Sequence, residues 1–186
     1  MGNIRLAKGE RRENMKHGFV RAAAATPDIR VADVAYNTEK IKNDIREAWE
    51  NGAKIIAFPE LCITGYTCGD LFTHDVLLSA AKSALYELAE YTADKDILVF
   101  VGVPLDIEGK LYNVAAALNR GKILGLTTKT FLPNYGEFYE MRQFTPGPKK
   151  AEYISFDGDQ VPFGPQILFQ ATAVENLIVS AEICED

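Results

Sequence analysis

Three polar side chains with complementary chemistry follow apolar, strand-like segments of the sequence. Glu60 follows KIIAF, Lys129 follows KILGL and Cys184 follows LIVSA. Because α/β proteins gather their active sites at strand ends, these side chains could meet in space. The carboxylate could take the proton of the thiol, which attacks an amide only as thiolate, and the ammonium could stabilise the resulting oxyanion. The three groups therefore form a complete acyl-transfer set that needs no histidine.

Each of these residues also has an ordinary structural interpretation. A cysteine in an apolar strand is most often a small core residue. A glutamate after proline is usually a solvated turn residue, and a single lysine is usually a surface charge. The spacing of the three residues does not by itself decide between an active site and these alternatives.

The composition is that of an ordinary globular domain. The chain has 186 residues, of which 47% are hydrophobic and 25% are charged, so it can bury one sizeable core. Its net charge of −6 argues against a nucleic-acid partner, because little in the chain would neutralise phosphates. No apolar run approaches the roughly 20 residues of a membrane-spanning helix. We therefore expect neither a nucleic-acid nor a membrane partner.

The N-terminal segment and the cysteines indicate a cytoplasmic protein. Residues 1–15 are rich in Arg, Lys and Glu and resemble a disordered or tag-like extension rather than a signal peptide, which leaves a domain at 16–186. Cys62, Cys68 and Cys184 make an odd count without metal-ligand spacing, which favours a reduced compartment and no metal site. We interpret Cys62 and Cys68 as buried free thiols.

Histidine is scarce in this sequence. His17 adjoins the charged extension, and His74 stands where a helix is predicted to begin. A Ser-His-Asp or Cys-His hydrolase, or a zinc site built on histidine, would have to depend on His74 alone. Any nucleophile here is therefore expected to use a different base.

The hydrophobic pattern predicts an α/β protein with a mixed sheet. Strands are predicted at 19–25, 54–58, 97–103, 111–118, 122–126 and 177–181, with short extended segments at 154–156 and 162–163. One helix is predicted to begin at Asn37 or Thr38 and end before Gly52, and a second to span 75–91. The triplet 119–121 predicts a hairpin turn. The irregular stretch 128–150 is long enough to suggest a functional loop. The sequence has no GxGxxG motif and no P-loop, so we predict no nucleotide-phosphate cradle in it.

Three segments in the same order resemble the signature regions of the nitrilase, or carbon–nitrogen hydrolase, superfamily. They are FPELCITGY, TKTFLPNYGEFYEMRQFTPG and SAEICED, and the resemblance covers residues 19–186. Within the superfamily, ELCITGYTCGDLF and KTFLPNYGEFYE resemble the glutaminase domain of bacterial glutamine-dependent NAD synthetases. Aliphatic amidases and nitrilases that consist of a single domain look more distant.

The resemblance implies specific catalytic roles. Glu60 would be the general base, Lys129 the oxyanion stabiliser and Cys184 the nucleophile. Glu140 matches a second family glutamate that positions the lysine and the substrate amide. Glu185 matches a residue that holds the α-ammonium of the substrate.

Three aromatic residues match positions that line the glutamine pocket in the same family. These residues are Tyr66, Tyr135 and Phe138. Ordinary packing within the loop is the alternative for all three aromatics, and for Phe138 it explains the residue nearly as well.

The family also implies an overall architecture and partners. We expect a nitrilase-like αββα sandwich that is incomplete at the C-terminal end, because the family continues beyond the nucleophile with further sheet and a helix. The synthetase domain would be absent, and with it the site for ATP, Mg and deamido-NAD. Glutamine would be the substrate of the present segment, which needs no cofactor, and the protein would be a homo-oligomer. Two alternatives remain, namely a stand-alone amidase of the family and an inactive piece that serves as a binding or oligomerisation module.

Overall fold

A single mixed sheet of seven strands organises the computed structural model, which describes residues 18–186. The described residues contain seven strands in this sheet and two in a separate pair. They are β1 (Ala22–Ala24), β2 (Ile55–Ala57), β3 (Leu98–Ile107), β4 (Lys110–Asn119), β5 (Lys122–Thr128), β6 (Glu152–Phe156), β7 (Asp159–Gly164), β8 (Phe169–Gln170) and β9 (Ile178–Val179). Their order in the sheet is β1-β2-β3-β4-β5-β7-β6, and β8 and β9 form a separate pair. β1 to β3 are parallel, β3 to β5 are antiparallel, and β7 lies parallel to β5.

Two helices cover one face of this sheet. They are α1 (Val34–Glu50) and α2 (Asp75–Tyr91). Because successive side chains of a strand point to opposite faces, Val99, Val101 and Val103 of β3 join the core under the helices. Leu98 and Phe100 point to the other face, where they pack with Phe169. The predicted α/β class with a mixed sheet is confirmed.

The second helix and the central hairpin follow the sequence closely. α2 has the predicted bounds, and His74 directly precedes it. β4 and β5 are joined by a tight turn in which Arg120 and Gly121 have φ of 48° and 79°. This is the left-handed conformation that a two-residue hairpin turn requires.

The predicted start of α1 at Asn37 or Thr38 is wrong, because the helix begins at Val34. Asp33 is the N-cap, and its carboxylate accepts a hydrogen bond of 3.2 Å from the Tyr36 N–H. Asn37 is buried inside the helix, and its amide donates to the carbonyl of Ile63 at 3.0 Å. Asn37 and Thr38, which resemble N-caps in the sequence, therefore lie buried inside the helix.

The last predicted strand, 177–181, is also largely wrong. Only Ile178 and Val179 have strand pairing, and they pair with β8 outside the main sheet. The residues from Ser180 to Cys184 form an irregular segment. The extension predicted at 1–15 lies outside the described residues. In the described range, the helices are all too short or too polar to cross a membrane.

Candidate active site

The buried ammonium of Lys129 joins two glutamates. Nζ donates to Oε1 of Glu60 at 2.7 Å and to Oε1 of Glu140 at 2.8 Å, and the lysine side chain is 0% exposed. Burial acts to lower the pKa of Lys129, but the hydrogen bonds to Glu140 and Glu60 outweigh it and raise the pKa. The amine therefore stays protonated. An ammonium has three donors, so one N–H remains beyond those that the two carboxylates use.

Backbone contacts on both sides hold Lys129 where β5 ends. Its N–H donates to the carbonyl of Asn113 on β4 at 2.9 Å, and its own carbonyl accepts from the N–H of Gly147 at 2.8 Å. A Cβ atom at position 147 would lie 2.0 Å from Oγ1 of Thr128. The segment that covers the end of β5 can therefore approach this closely only because glycine stands there.

Glu60 reaches the same point from the turn that follows β2. The turn packs against Gly102 of β3 so closely that a Cβ atom there would lie 2.2 Å from the N atom of Leu61. Oε1 of Glu60 accepts from Nδ2 of Asn113 at 2.5 Å as well as from Lys129. The Glu60 side chain keeps 21% of its surface exposed, so the carboxylate is fixed by two donors and still faces open space.

Cys184 stands at a tight turn beside Glu60. The turn is closed by the Asp186 N–H, which donates to the carbonyl of Ile183 at 3.3 Å. Cys184 has φ of 58° and is exposed; a non-glycine residue in this left-handed region is uncommon and often occurs at active sites. Cys184 and Glu60 line the same cleft, which has a volume of about 290 Å³.

Asp186 connects the turn of Cys184 to the chain that follows Lys129. Its Oδ1 accepts from the N–H groups of Thr130 and Phe131, each at 2.8 Å. The structure therefore brings Glu60 and Lys129 into direct contact and holds the segment of Cys184 next to both. Their catalytic roles remain predictions.

Tyr66 extends this cluster. Its hydroxyl donates to Oε1 of Glu140 at 2.6 Å. Burial is the main reason that the pKa of Tyr66 is raised, followed by its hydrogen bond to Glu140.

Tyr135 contacts both Phe138 and Glu185, the residue that follows Cys184. The hydroxyl of Tyr135 donates to Glu185, and this bond is the main cause that raises the pKa of Tyr135. The rings of Tyr135 and Phe138 meet edge to face with centroids 5.9 Å apart. Tyr135 is exposed and Phe138 is half-buried, so Phe138 makes the loop contact expected under the alternative interpretation, and its place in the pocket stays a prediction.

The other two cysteines differ sharply from Cys184. Cys62 and Cys68 are buried free thiols, as predicted. Burial raises the pKa of Cys62 to about 12, and it also raises the pKa of Cys68. Neither can supply a thiolate at neutral pH. In residues 18–186, no group of three or more His, Cys, Asp or Glu side chains could hold a metal ion.

Sequence reasoning missed Asn113, Gly102, Gly147 and Asp186. One signal was available for Asn113, which is a polar residue within the otherwise apolar run of β4, LYNVAAAL. Asp186 is the last letter of a recognised motif, yet its contacts with Thr130 are not visible in that motif.

Comparisons with known proteins identify a family and several relatives of this chain. The family model described as carbon–nitrogen hydrolase matches residues 21–186. The chain is 39% identical over 171 residues to the glutamine-dependent NAD(+) synthetase of Mycobacterium tuberculosis, covering 92% of this chain and 25% of that protein. It is 40% identical over 133 residues to the enzyme of the same name from Aquifex aeolicus, covering 72% of this chain and 23% of that protein.

Solved structures show the same relationship. A glutamine-dependent NAD(+) synthetase from Cytophaga hutchinsonii superposes with a TM-score of 0.82 and 34% identity, covering 90% of this chain and 28% of that one. An amidase of Nesterenkonia from the nitrilase superfamily superposes with a TM-score of 0.61 and 25% identity, covering 79% of this chain and 55% of that one. The predicted nitrilase-like fold is confirmed. The chain spans about a quarter of the length of the synthetases that it matches.

Proposed function

We propose that this chain, which belongs to the carbon–nitrogen hydrolase family, is the glutamine-hydrolysing part of a glutamine-dependent NAD synthetase. The observation that carries the proposal is the contact of Lys129 with Glu60 and Glu140 beside an exposed cysteine. Such a set suits amide hydrolysis through a thioester. The names of the related glutamine-dependent NAD(+) synthetases indicate that the amide is the side chain of glutamine.

The first half of the reaction acylates the cysteine. Glu60 removes the proton of the Cys184 thiol, and the sulfur attacks the side-chain carbonyl carbon of glutamine. The free N–H of Lys129 donates to the oxygen that becomes negative. As the tetrahedral intermediate collapses, the C–N bond breaks, Glu60 returns its proton to the nitrogen, and ammonia leaves.

The second half releases glutamate. Water replaces ammonia in the site, and Glu60 takes one of its protons as the oxygen attacks the thioester carbon. The C–S bond breaks, and Cys184 regains a proton from Glu60. In the first half, before ammonia leaves, Oε2 of Glu140, which is buried and has no partner among residues 18–186, can accept an N–H of the carboxamide.

Substrate selection would depend on residues close to the nucleophile. Glu185 directly follows the nucleophile and can bind the α-ammonium of glutamine. Tyr135 already donates to Glu185, so the tyrosine would orient this carboxylate. Tyr66 and Phe138 would border the pocket.

The ammonia would be consumed by a synthetase part that amidates deamido-NAD with ATP and Mg²⁺. The residues of the glutaminase site take no part in that step. Family resemblance supports a homo-oligomer, and the three unpaired cysteines support a cytoplasmic location. Sedimentation of the complete protein tests the first of these, and its distribution among cell fractions tests the second.

The test separates the two half-reactions in the complete protein. Cys184→Ala is expected to abolish glutamine-driven NAD synthesis and to leave ammonia-driven synthesis near the wild-type rate, because only the first needs a thiolate. Equal loss of both activities would give Cys184 a structural role and contradict the proposal. Hydrolysis of acetamide but not glutamine by the wild type would instead favour a stand-alone amidase.

A further inference from the structure

Asn113 contacts both the expected base and the expected oxyanion donor. Its Nδ2 donates to Oε1 of Glu60 at 2.5 Å, and its backbone carbonyl accepts from the N–H of Lys129 at 2.9 Å. The residue is 1% exposed and lies in the middle of β4. One buried residue therefore connects two groups that come from different strands.

The contacts of Glu60 are unevenly divided between its two oxygens. Asn113 and Lys129 both donate to Oε1, and no hydrogen bond within residues 18–186 involves Oε2. An oxygen that already accepts two hydrogen bonds is a poor place for an incoming proton, because its lone pairs are engaged. Oε2 is consequently the oxygen that can take a proton from the cleft shared with Cys184.

The amide of Asn113 is held in this orientation at a cost. Its Oδ1 is buried without a partner among residues 18–186, and an unsatisfied buried acceptor typically costs about 1–3 kcal/mol. The reversed amide would place Oδ1 against the Glu60 carboxylate, where two acceptors repel each other. The observed orientation therefore stabilises the carboxylate form of Glu60 although the other end of the amide is unsatisfied.

We propose that Asn113 is a positioning residue for the general base. By binding Oε1 of Glu60 it reserves Oε2 for proton exchange with Cys184, and through its carbonyl it keeps Lys129 beside the same carboxylate. In the acylation step the S–H bond breaks, the proton passes to Oε2, and the electron pair stays on sulfur. This assignment rests on the proposed function of the site.

The strand offers a matched control. Asn119 lies in the same strand, is 4% exposed, and donates its Nδ2 to the carbonyl of Ile97 at 2.8 Å, away from the site. Asn113→Leu and Asn119→Leu each replace a buried amide by a side chain of similar size. Both should lower the melting temperature, because Asn113→Leu removes one of the two donors to Oε1 of Glu60 and Asn119→Leu removes the side-chain donor to the carbonyl of Ile97. A difference in turnover between them therefore reports the role of Asn113 in the site.

The experiment measures glutaminase kinetics and thermal melting of the complete protein. Asn113→Leu is expected to lower kcat by about 10²-fold, the typical effect of a misplaced catalytic group, with KM within about twofold of wild type. Asn119→Leu is expected to keep kcat within about twofold of wild type. Equal kcat values in the two variants, at similar stability, would overturn the proposal.

A second variant covers the case in which Asn113→Leu fails to fold. Asn113→Asp keeps the shape but places a carboxylate against Glu60, in a site that also contains Glu140, Tyr66, Lys129 and Cys184. Two adjacent carboxylates tend to share a proton, so the acid limb of the kcat/KM profile should move to higher pH. An unmoved acid limb would show that Asn113 does not act on Glu60.

Failure of this proposal can be distinguished from failure of the proposed function. A wild-type protein that releases no glutamate would contradict the glutaminase function. Alkylation of Cys184 by iodoacetamide would then test Asn113 separately, since it needs only the thiolate. Slower alkylation in Asn113→Leu, matching that in Glu60→Gln, would support the positioning role, and an unchanged rate would overturn it.

Discussion

Nζ of Lys129 lies 2.7 Å from Oε1 of Glu60, although 69 positions separate the two residues in sequence. This contact couples the group expected to move protons to the group expected to bind the oxyanion. Glu140 contacts the same ammonium, so the three charges sum to −1 around one buried lysine. Removing the base and removing the lysine should therefore have different consequences for stability.

Glu60→Gln is expected to reduce turnover by ~10²–10⁴-fold, the usual contribution of a general base, with little loss of stability. The amide oxygen can still accept from Lys129 and Asn113, so the cluster keeps its hydrogen bonds. The measurement is glutamate release together with thermal melting. Near-normal turnover would remove Glu60 from the base role.

Lys129→Met is expected to reduce both turnover and stability. The variant leaves Glu60 and Glu140 as neighbouring carboxylates without a cation, and breaking a buried ion pair on one side typically costs ~3–5 kcal/mol. Independently of stability, loss of an oxyanion donor lowers the rate by ~10²–10³-fold. Urea denaturation of the variant checks the first effect. A variant as stable as wild type would contradict the buried-pair account.

Of the three cysteines in this sequence, alkylation is expected to modify one in the native protein and all three after denaturation. Cys184 is exposed, whereas Cys62 and Cys68 are buried. The pKa of Cys62 is raised to about 12 by burial, so its thiol stays protonated up to pH values well above 9 and becomes reactive only on unfolding. Mass spectrometry of protein treated with iodoacetamide at pH 8 counts the labels. Rapid labelling of Cys62 in the native state would show that its burial is transient.

The sequence predicted those parts of the fold in which local pattern decides the structure. α2 has a regular apolar repeat and no competing cap, so both of its ends were predicted correctly. α1 was predicted to start too late because Asn37 resembles a cap but is used inside the helix. The apolar run 177–181 resembles a strand, yet only Ile178 and Val179 find partners. Tertiary contacts decide both cases, and a single sequence does not contain them.

The residues of the candidate site were likewise predictable only where they stand in a local sequence motif. Glu60, Lys129 and Cys184 could be selected because they stand in recognisable motifs. Asn113 acts on a residue 53 positions away, and nothing in its local sequence indicates that contact. A polar residue in an apolar strand marks Asn113 as unusual, but its partner Glu60 is identified only by the paired strands.

Asp186→Ala in the complete protein is expected to lower glutaminase turnover by ~10–10²-fold with a small loss of stability. The carboxylate accepts from the N–H groups of Thr130 and Phe131, which fixes the turn of Cys184 to the chain that follows Lys129. Without it, the nucleophile and the oxyanion donor lose their common anchor, while both N–H groups lie near the surface and can bind water. The stability cost should therefore stay near ~1 kcal/mol.

The matched variant for this prediction is Asp186→Asn, which keeps Oδ1 as an acceptor and removes the charge. It should recover most of the turnover that Asp186→Ala loses, because anchoring needs an acceptor at that position more than it needs a negative charge. Single-turnover measurements, which separate acylation of Cys184 from product release, should place the loss in acylation. Equal turnover of Asp186→Ala and wild type would show that the turn of Cys184 is held in place without this contact.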